Sequence, residues 1–304
     1  NIGVCVKVMA GNTKHMEGSF IGCKGLNLYY QYWLPEEDLK AILLVVHGWA
    51  EHSGRYMNLV NHFIPKGYAI CALDQRGHGK SEGMRGYVER FSDYLDDLQI
   101  FIQIVKNEYA DKDIFLVGHS MGATVATAYT ATGTNQHDLM GLILSGVGIK
   151  PGQSLSSALI PLARLLSIVI PKIGVMVLDA SAISQDNAVV DAYINDPLVY
   201  RGKITCRFGA EMLAILRKLP SEMPQIKLPV LIMHGTADRL SDPEGSQMLC
   251  DRVGSSDQPR EHAHRRTRPA RREPSSARAG GRCRRHSGDW RTYVHQLRNV
   301  DRRP

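Results

Sequence analysis

The stretch Asp113 to Gly122, DIFLVGHSMG, decides how this chain folds. Ile114, Phe115, Leu116 and Val117 form an unbroken apolar run, the pattern of a strand buried on both faces of a parallel sheet. Gly118-His119-Ser120-Met121-Gly122 follows without a linker, and the alanine- and threonine-rich segment to Thr132 reads as a helix packed closely on the sheet. A serine flanked at two residues on either side by glycine, between a strand and a helix, has the form of a nucleophile elbow. So tight a turn leaves no room for a side chain at 118 or 122, and it forces the serine into strained backbone. The hydroxyl then stands clear, near the positive end of the helix.

The same alternation extends in both directions. Residues 18–34 alternate apolar and polar around Gly25 and read as an antiparallel hairpin at a sheet edge. Ala41 to Val46 is a second buried strand, and Tyr68 to Leu73 a third. Between them Tyr56, Leu59, Val60, Phe63 and Ile64 share a helical face that Gly67 is placed to end. Phe91, Tyr94, Leu95, Leu98, Ile102 and Val105 form another helical stripe, and Met140 to Leu144 and Leu228 to Met233 are further strands. The fold class expected is α/β, a doubly wound and mostly parallel sheet. Residues 150–226 interrupt the alternation: an apolar stretch broken by Pro161 and Pro171 is followed by a mixed, helical segment. The domain reading is a core in two parts, 1–149 and 227–257, a helical cap inserted at 150–226, and a tail at 258–304.

Composition bounds the chemistry. The 304 residues suffice for one large core with a small insertion. No apolar run is long enough to span a bilayer, and the first residues lack a signal-peptide pattern. The cysteines at 5, 23, 71, 206, 250 and 283 show neither C-x-x-C nor histidine pairing, which points to reduced thiols, no zinc site and a cytoplasmic protein. The formal charge of +7 is unevenly spread. Residues 258–304 hold 14 Arg, no Lys and 4 acidic groups, so the body before them is mildly acidic and the basicity belongs to the tail.

A serine hydroxyl becomes a nucleophile when a histidine takes its proton and a carboxylate orients that histidine. In an elbow fold the acid follows the serine in the chain, and the histidine follows the acid. The strand ending at Met233 leads into His234-Gly235-Thr236-Ala237-Asp238, which makes Asp238 the acid, with Asp242 as local competitor. The alternative for Asp238 is a turn or helix-capping role. The oxyanion needs two backbone amides. Met121, next after the serine, supplies one, and Trp49, in the turn after the 41–46 strand, supplies the other.

Four segments occur in order: HGWAEHSGRY at 47–56, DQRGHGKSEG at 74–83, VGHSMG at 117–122 and LIMHGTADRLSDP at 231–243. Together they resemble the monoacylglycerol lipase and lysophospholipase branch of the α/β-hydrolases over roughly residues 15–257, with LVYRGKITCRFGAEML in the cap segment. The resemblance implies Ser120 as nucleophile, Asp238 as acid, and Trp49 and Met121 as oxyanion donors. It gives His78 and Asp74 a mainly structural role. Ala123 stands where the family usually has a further glycine. The expected activity is cleavage of a single-chain lipid ester, a monoacylglycerol or lysophospholipid, through an acyl-enzyme, without metal or cofactor. Transient contact with a membrane surface through the cap is expected, and no nucleic-acid partner. A short-chain carboxylesterase is the alternative within the fold.

The pattern breaks after Asp257. The family continues with a strand, a glycine-rich turn carrying the histidine, and a closing helix, whereas residues 258–304 offer only Val294, Leu297 and Val300 as aliphatics. Arg, Pro, Ala and Gly all have GC-rich codons, so one reading is a shifted frame of a GC-rich gene. The other is a native, disordered basic tail. His262, His264, His286 and His295 are the tail histidines; His264, 26 residues beyond Asp238, is nearest the family spacing, while Arg268 stands closer to where the base would fall. His119 adjoins the nucleophile, with its side chain expected to point away. A hydrolase-like body lacking its base is the alternative from another class.

Overall fold

A computed structural model describes residues 4–8, 13–36, 38–132, 136–150, 165–254, 261–265 and 284–286. Only the backbone is described for 4–8, 13, 261–265 and 284–286. The strands of the main sheet are β1 (Val4–Val8), β2 (Thr13–Ile21), β3 (Asn27–Pro35), β4 (Ala41–Val46), β5 (Tyr68–Leu73), β6 (Asp113–His119) and β7 (Gly141–Ser145). A short pair, β8 (Gly174–Met176) and β9 (Ile204–Thr205), stands apart, and β10 (Val230–Gly235), β11 (Glu261–Arg265) and β12 (Arg284–His286) complete the main sheet. The order across it is β1-β2-β3-β5-β4-β6-β7-β10-β11-β12. The pairs from β5 to β12 are parallel, and the hairpin β2–β3 joins β5 antiparallel.

The unbroken apolar runs have a direct cause, because both faces of the central strands are covered. Ile42, Leu44 and Val46 of β4 face one core, whose helices are α2 (Ser92–Glu108) and α3 (Met121–Ala131). Leu43 and Val45 face the other, beneath α1 (Met57–Phe63). β5 alternates in the same way, with Cys71 and Leu73 on the first side and Ile70 and Ala72 on the second. Each buried Val, Leu or Ile among them contributes about 1.5–3 kcal/mol. Gly67, at φ 84°, ends the helical segment that starts at α1 and donates its amide to the Ile64 carbonyl.

Between β7 and β10 the chain leaves the main sheet. Residues 165–169 are helical, and α4 (Asn187–Asn195) and α5 (Cys206–Glu222) follow. The antiparallel pair β8–β9 was not anticipated for a helical cap: at two and three residues it carries no readable alternation. Residues 151–164, including Pro161, lie outside the described residues. Helix α6 (Pro243–Arg252) then packs on β10. No helix among the described residues is long and apolar enough to cross a membrane.

Two expectations meet a different backbone. β1 lies outside the β2–β3 hairpin, so the hairpin is not the sheet edge. At the other end β11 lies parallel to β10, covering the edge that a disordered tail would leave open, and β12 pairs with β11. Ladder hydrogen bonds come from the backbone, so an arginine-rich composition does not forbid them. The rest of 258–304 lies outside the described residues.

The loop after β5 is held by a buried ion cluster. Arg76 donates through Nε and Nη2 to both Asp97 oxygens, at 2.6 and 2.7 Å, and through Nη2 to the Cys23 carbonyl. Asp93 lies 3.5 Å from Nη1. Replacing Arg76 by Met strands the buried Asp97 carboxylate, while Asp93 keeps Lys24 at 2.9 Å, and is expected to destabilise the fold by about 3–5 kcal/mol in urea unfolding. Lys24→Ala removes the exposed pair with Glu89 and one of the two cations on buried Asp93, which keeps Arg76 at 3.5 Å, and is expected to cost about 1 kcal/mol.

Candidate active site

The elbow of β6 and α3 has the predicted geometry. Ser120 sits at φ 51° and ψ −116°, outside the conformations favoured by side-chain-bearing residues. A Cβ on Gly118 would lie 2.7 Å from the Ala123 Cα. One on Gly122 would lie 2.5 Å from the His47 carbonyl oxygen and closer still to that of Val46. The helix therefore starts hard against the end of β4. The Ser120 amide donates to the Ser145 carbonyl at 2.9 Å, which ties the turn to β7.

The turn after β4 is built just as closely. A Cβ on Gly48 would lie 3.3 Å from that of Ser120. The Gly48 amide donates to Glu51 Oε1 at 2.6 Å, and the Tyr56 hydroxyl donates to the same oxygen at 2.7 Å. Burial pushes the Glu51 carboxyl up, but the rings of His119 and His47 and these two donors hold it below its usual range. Ala50 takes the left-handed conformation, at φ 67°. Among the described residues, the amides of Trp49 and Met121 have no hydrogen-bond partner, which leaves both open to an oxyanion.

The segment between β7 and β10 is fastened to this turn. The Tyr200 amide donates to the Ala50 carbonyl at 2.8 Å. His52 Nε2 bonds to Asp196 Oδ2 at 2.9 Å, with Arg55 at 3.7 Å from the same oxygen, and the Trp49 ring packs on Phe208 at 4.2 Å. Glu51 and Asp196 were not assigned roles from the sequence. The segment HGWAEHSGRY contained the signal for one half of this contact, but Asp196 lies 144 residues from His52.

Asp238 follows β10, as expected. Its Oδ1 accepts the amides of Leu240 and Ser241 at 2.8 and 3.0 Å, and its Oδ2 lies 3.2 Å from His234 Nε2. Burial raises its pKa, but these donors prevail and hold the carboxyl below the usual range. The competitor Asp242 is occupied elsewhere: it caps α6 through the Glu244 amide and pairs with Lys150 at 2.9 Å. Oδ2 of Asp238 and Cε1 of His119 lie 3.7 and 3.6 Å from where a Gly146 Cβ would stand, so both approach the chain just after β7.

For the histidine assigned as base, a backbone position is described. His264 is the fourth residue of β11, paired in register with His234, and only its backbone is described. It thus stands within the sheet, not on a turn beyond it. His262 and His286 also lie on strands, and His295 lies outside the described residues. His234 has the right chemistry, but both ring nitrogens are already engaged.

The family profile described as serine aminopeptidase, S33, matches residues 37–265. The monoacylglycerol lipase of Mycolicibacterium smegmatis is 34% identical over 241 residues, covering 79% of this chain and 85% of that protein. The monoglyceride lipase of Mus musculus is 34% identical over 237 residues, 78% of each. The chain belongs to the monoacylglycerol lipase family of α/β-hydrolases. Its fold agrees with the crystal structure of the Paleococcus ferrophilus monoacylglycerol lipase at a TM-score of 0.65 and 29% identity, over 78% of this chain and 87% of that one.

The DQRGHGKSEG segment of this family member is scaffolding around the site. Asp74 Oδ1 accepts the Ser53 amide at 2.7 Å and Oδ2 the Lys80 amide at 2.8 Å, joining the turns after β4 and β5. His47 Nε2 accepts the Gln75 amide at 2.9 Å, bracing the same two turns. The His78 ring sits edge-on to Trp49, 5.4 Å away, and bonds through Nδ1 to the Arg76 carbonyl. Burial, then the neighbouring His47, lowers its pKa from 6.5 to about 3.

Two outcomes follow from this geometry. His78 binds its proton only near pH 3 when folded but near 6.5 when unfolded, so between these values the unfolded chain binds more protons. Stability should therefore fall as the pH drops from 7 to 5, and His78→Asn should flatten that slope in thermal melts. Gly122→Ala should lower both stability and ester turnover, because its Cβ meets two backbone carbonyls that cannot rotate away.

Proposed function

We propose that this protein hydrolyses carboxylic esters of single-chain lipids, with monoacylglycerols as the leading substrate class. The observation that carries the reading is the strained Ser120 elbow set against the Gly48–Trp49 turn, within a chain of this family. The Ser120 hydroxyl attacks the ester carbonyl, and the amides of Trp49 and Met121 hold the tetrahedral oxyanion. Asp238 orients the histidine that takes the serine proton and returns it to the leaving alcohol. Water activated by the same histidine then releases the fatty acid from the acyl-enzyme. His264 is assigned this role as the histidine that best fits the order serine, acid, histidine.

The cap supports a lipid substrate. Leu165, Ile168, Val169, Ile173 and Val175 are exposed large apolar side chains on one part of it. They suit acyl chains and transient contact with a membrane surface. A short-chain ester would need less apolar surface.

A second reading has its own observation. Residues 266–285 contain no histidine, although a turn following β11 would begin there. Together with the change in composition after Asp257, this favours a shifted reading frame and a hydrolase body without its base. Re-reading the DNA in the other two frames tests it directly: a strand, a glycine-rich turn with histidine and a closing helix are expected in one of them.

Turnover of a nitrophenyl ester separates the readings. Ser120→Ala should reduce it by at least about 10³-fold while unfolding stays cooperative. Asp238→Asn should reduce it by roughly 10⁴-fold, and Asp242→Asn should leave it near wild type. Loss of activity in Asp242→Asn alone would overturn the acid assignment. Robust turnover that survives deletion of residues 258–304 would remove His264 and the tail from the mechanism.

A further inference from the structure

His234 was read from the sequence only as part of the approach to Asp238, yet it is the side chain most closely engaged with that carboxylate. It is the penultimate residue of β10, and its ring is fully buried. Nδ1 lies 2.6 Å from the Ser246 hydroxyl on α6. Nε2 lies 3.2 Å from Asp238 Oδ2 and 3.2 Å from the Ser241 carbonyl oxygen. Both of those partners only accept hydrogen bonds, so Nε2 carries the proton. Nδ1 of the neutral ring is then the acceptor, and the Ser246 hydroxyl donates to it.

The carboxylate is thereby gripped at both oxygens. The Leu240 and Ser241 amides hold Oδ1, and His234 holds Oδ2. Oδ2 is also the oxygen that reaches toward Gly146, at the end of β7, to which the nucleophile turn is tied. An ionised carboxylate oxygen accepts more than one hydrogen bond, so the bond from His234 leaves Oδ2 able to take another. We propose that His234 is the positioning residue of the acid: fixed as the Nε2–H tautomer by Ser246, it orients the Asp238 carboxylate so that Oδ2 meets the catalytic base. This rests on the reading of Asp238 as the acid. It accounts for a histidine where an apolar residue would fill the space equally well, and it gives α6 a part in the site. The groups around the carboxylate that also titrate or carry charge are His119 from β6 and, at the start of α6, Asp242 with Lys150.

The test reads the hydrogen bond and the activity separately. In the wild-type chain at pH 8, ¹⁵N NMR of the histidine rings should show the His234 ring proton on Nε2. A proton on Nδ1 alone would overturn the proposal. With ¹³C-carboxyl aspartate, the Asp238 signal, assigned through Asp238→Asn, should titrate about one pH unit higher in His234→Phe than in wild type. In His234→Gln, whose amide can donate to Asp238 and accept from Ser246, it should stay near wild type. For a nitrophenyl ester, His234→Phe should lower kcat at least tenfold with little change in KM, and His234→Gln should recover most of it. An unchanged Asp238 titration in His234→Phe would refute the hydrogen bond. A raised titration with unchanged kcat would refute the positioning role, provided Asp238→Asn is itself inactive. An active Asp238→Asn would refute the acid assignment instead. Should His234→Phe not fold, Ser246→Ala takes its place: the Nε2–H tautomer should lose its dominance and kcat should fall, and no change in either would overturn the proposal.

Discussion

The structure depends on one close approach, that of the start of α3 to the end of β4. At Gly122 the helix backbone lies against the carbonyls of Val46 and His47, and at Gly118 the strand passes against Ala123 with the same absence of space. Those two approaches force Ser120 into its left-handed turn, a strain of roughly 1–3 kcal/mol that the packed core sustains. The consequence is chemical. The Ser120 Cβ is set beside the turn after β4, while among the described residues the amide of Met121 is left without a backbone partner.

The segment between β7 and β10 and the turn after β4 form one mechanical unit. Ala50 holds a strained conformation, its carbonyl accepts the Tyr200 amide, and Trp49 packs on Phe208 of α5. His52 and Arg55 reach across to Asp196, and Glu51 braces Gly48 from within. A second attachment lies farther along the cap: the Thr205 amide and hydroxyl both donate to the Gly86 carbonyl, and the Phe91 amide donates to Glu211. In the lipase reading, the surface that receives the acyl chain is thus tied directly to the amides that stabilise the oxyanion.

What the sequence made legible follows from range. The elbow, the strands and the helical stripe from Tyr94 to Val105 are written in neighbouring residues, and the structure realises each. Asp238 ranked ahead of Asp242 because a late strand led directly into it. The Asp196 anchor, the Ser246–His234–Asp238 chain and the Arg76 cluster were not legible as interactions, since their partners are joined only by the fold. β1 and the β8–β9 pair were missed for another reason: strands so short or so close to an end lack the alternation that marks burial on one face. The tail shows the limit of composition. Its arginine-rich sequence gave no core periodicity, yet 261–265 pair in parallel with β10.

The central claim is that the close approach at Gly118 and Gly122 makes Ser120 a nucleophile. Covalent labelling reads this without requiring turnover. The folded chain would be treated with a fluorophosphonate and digested, and the modified peptide sequenced by mass spectrometry. The account predicts a single phosphonylated residue, Ser120, and no labelling once the chain is unfolded. Labelling at another residue, or none on the folded chain after prolonged incubation, would contradict it.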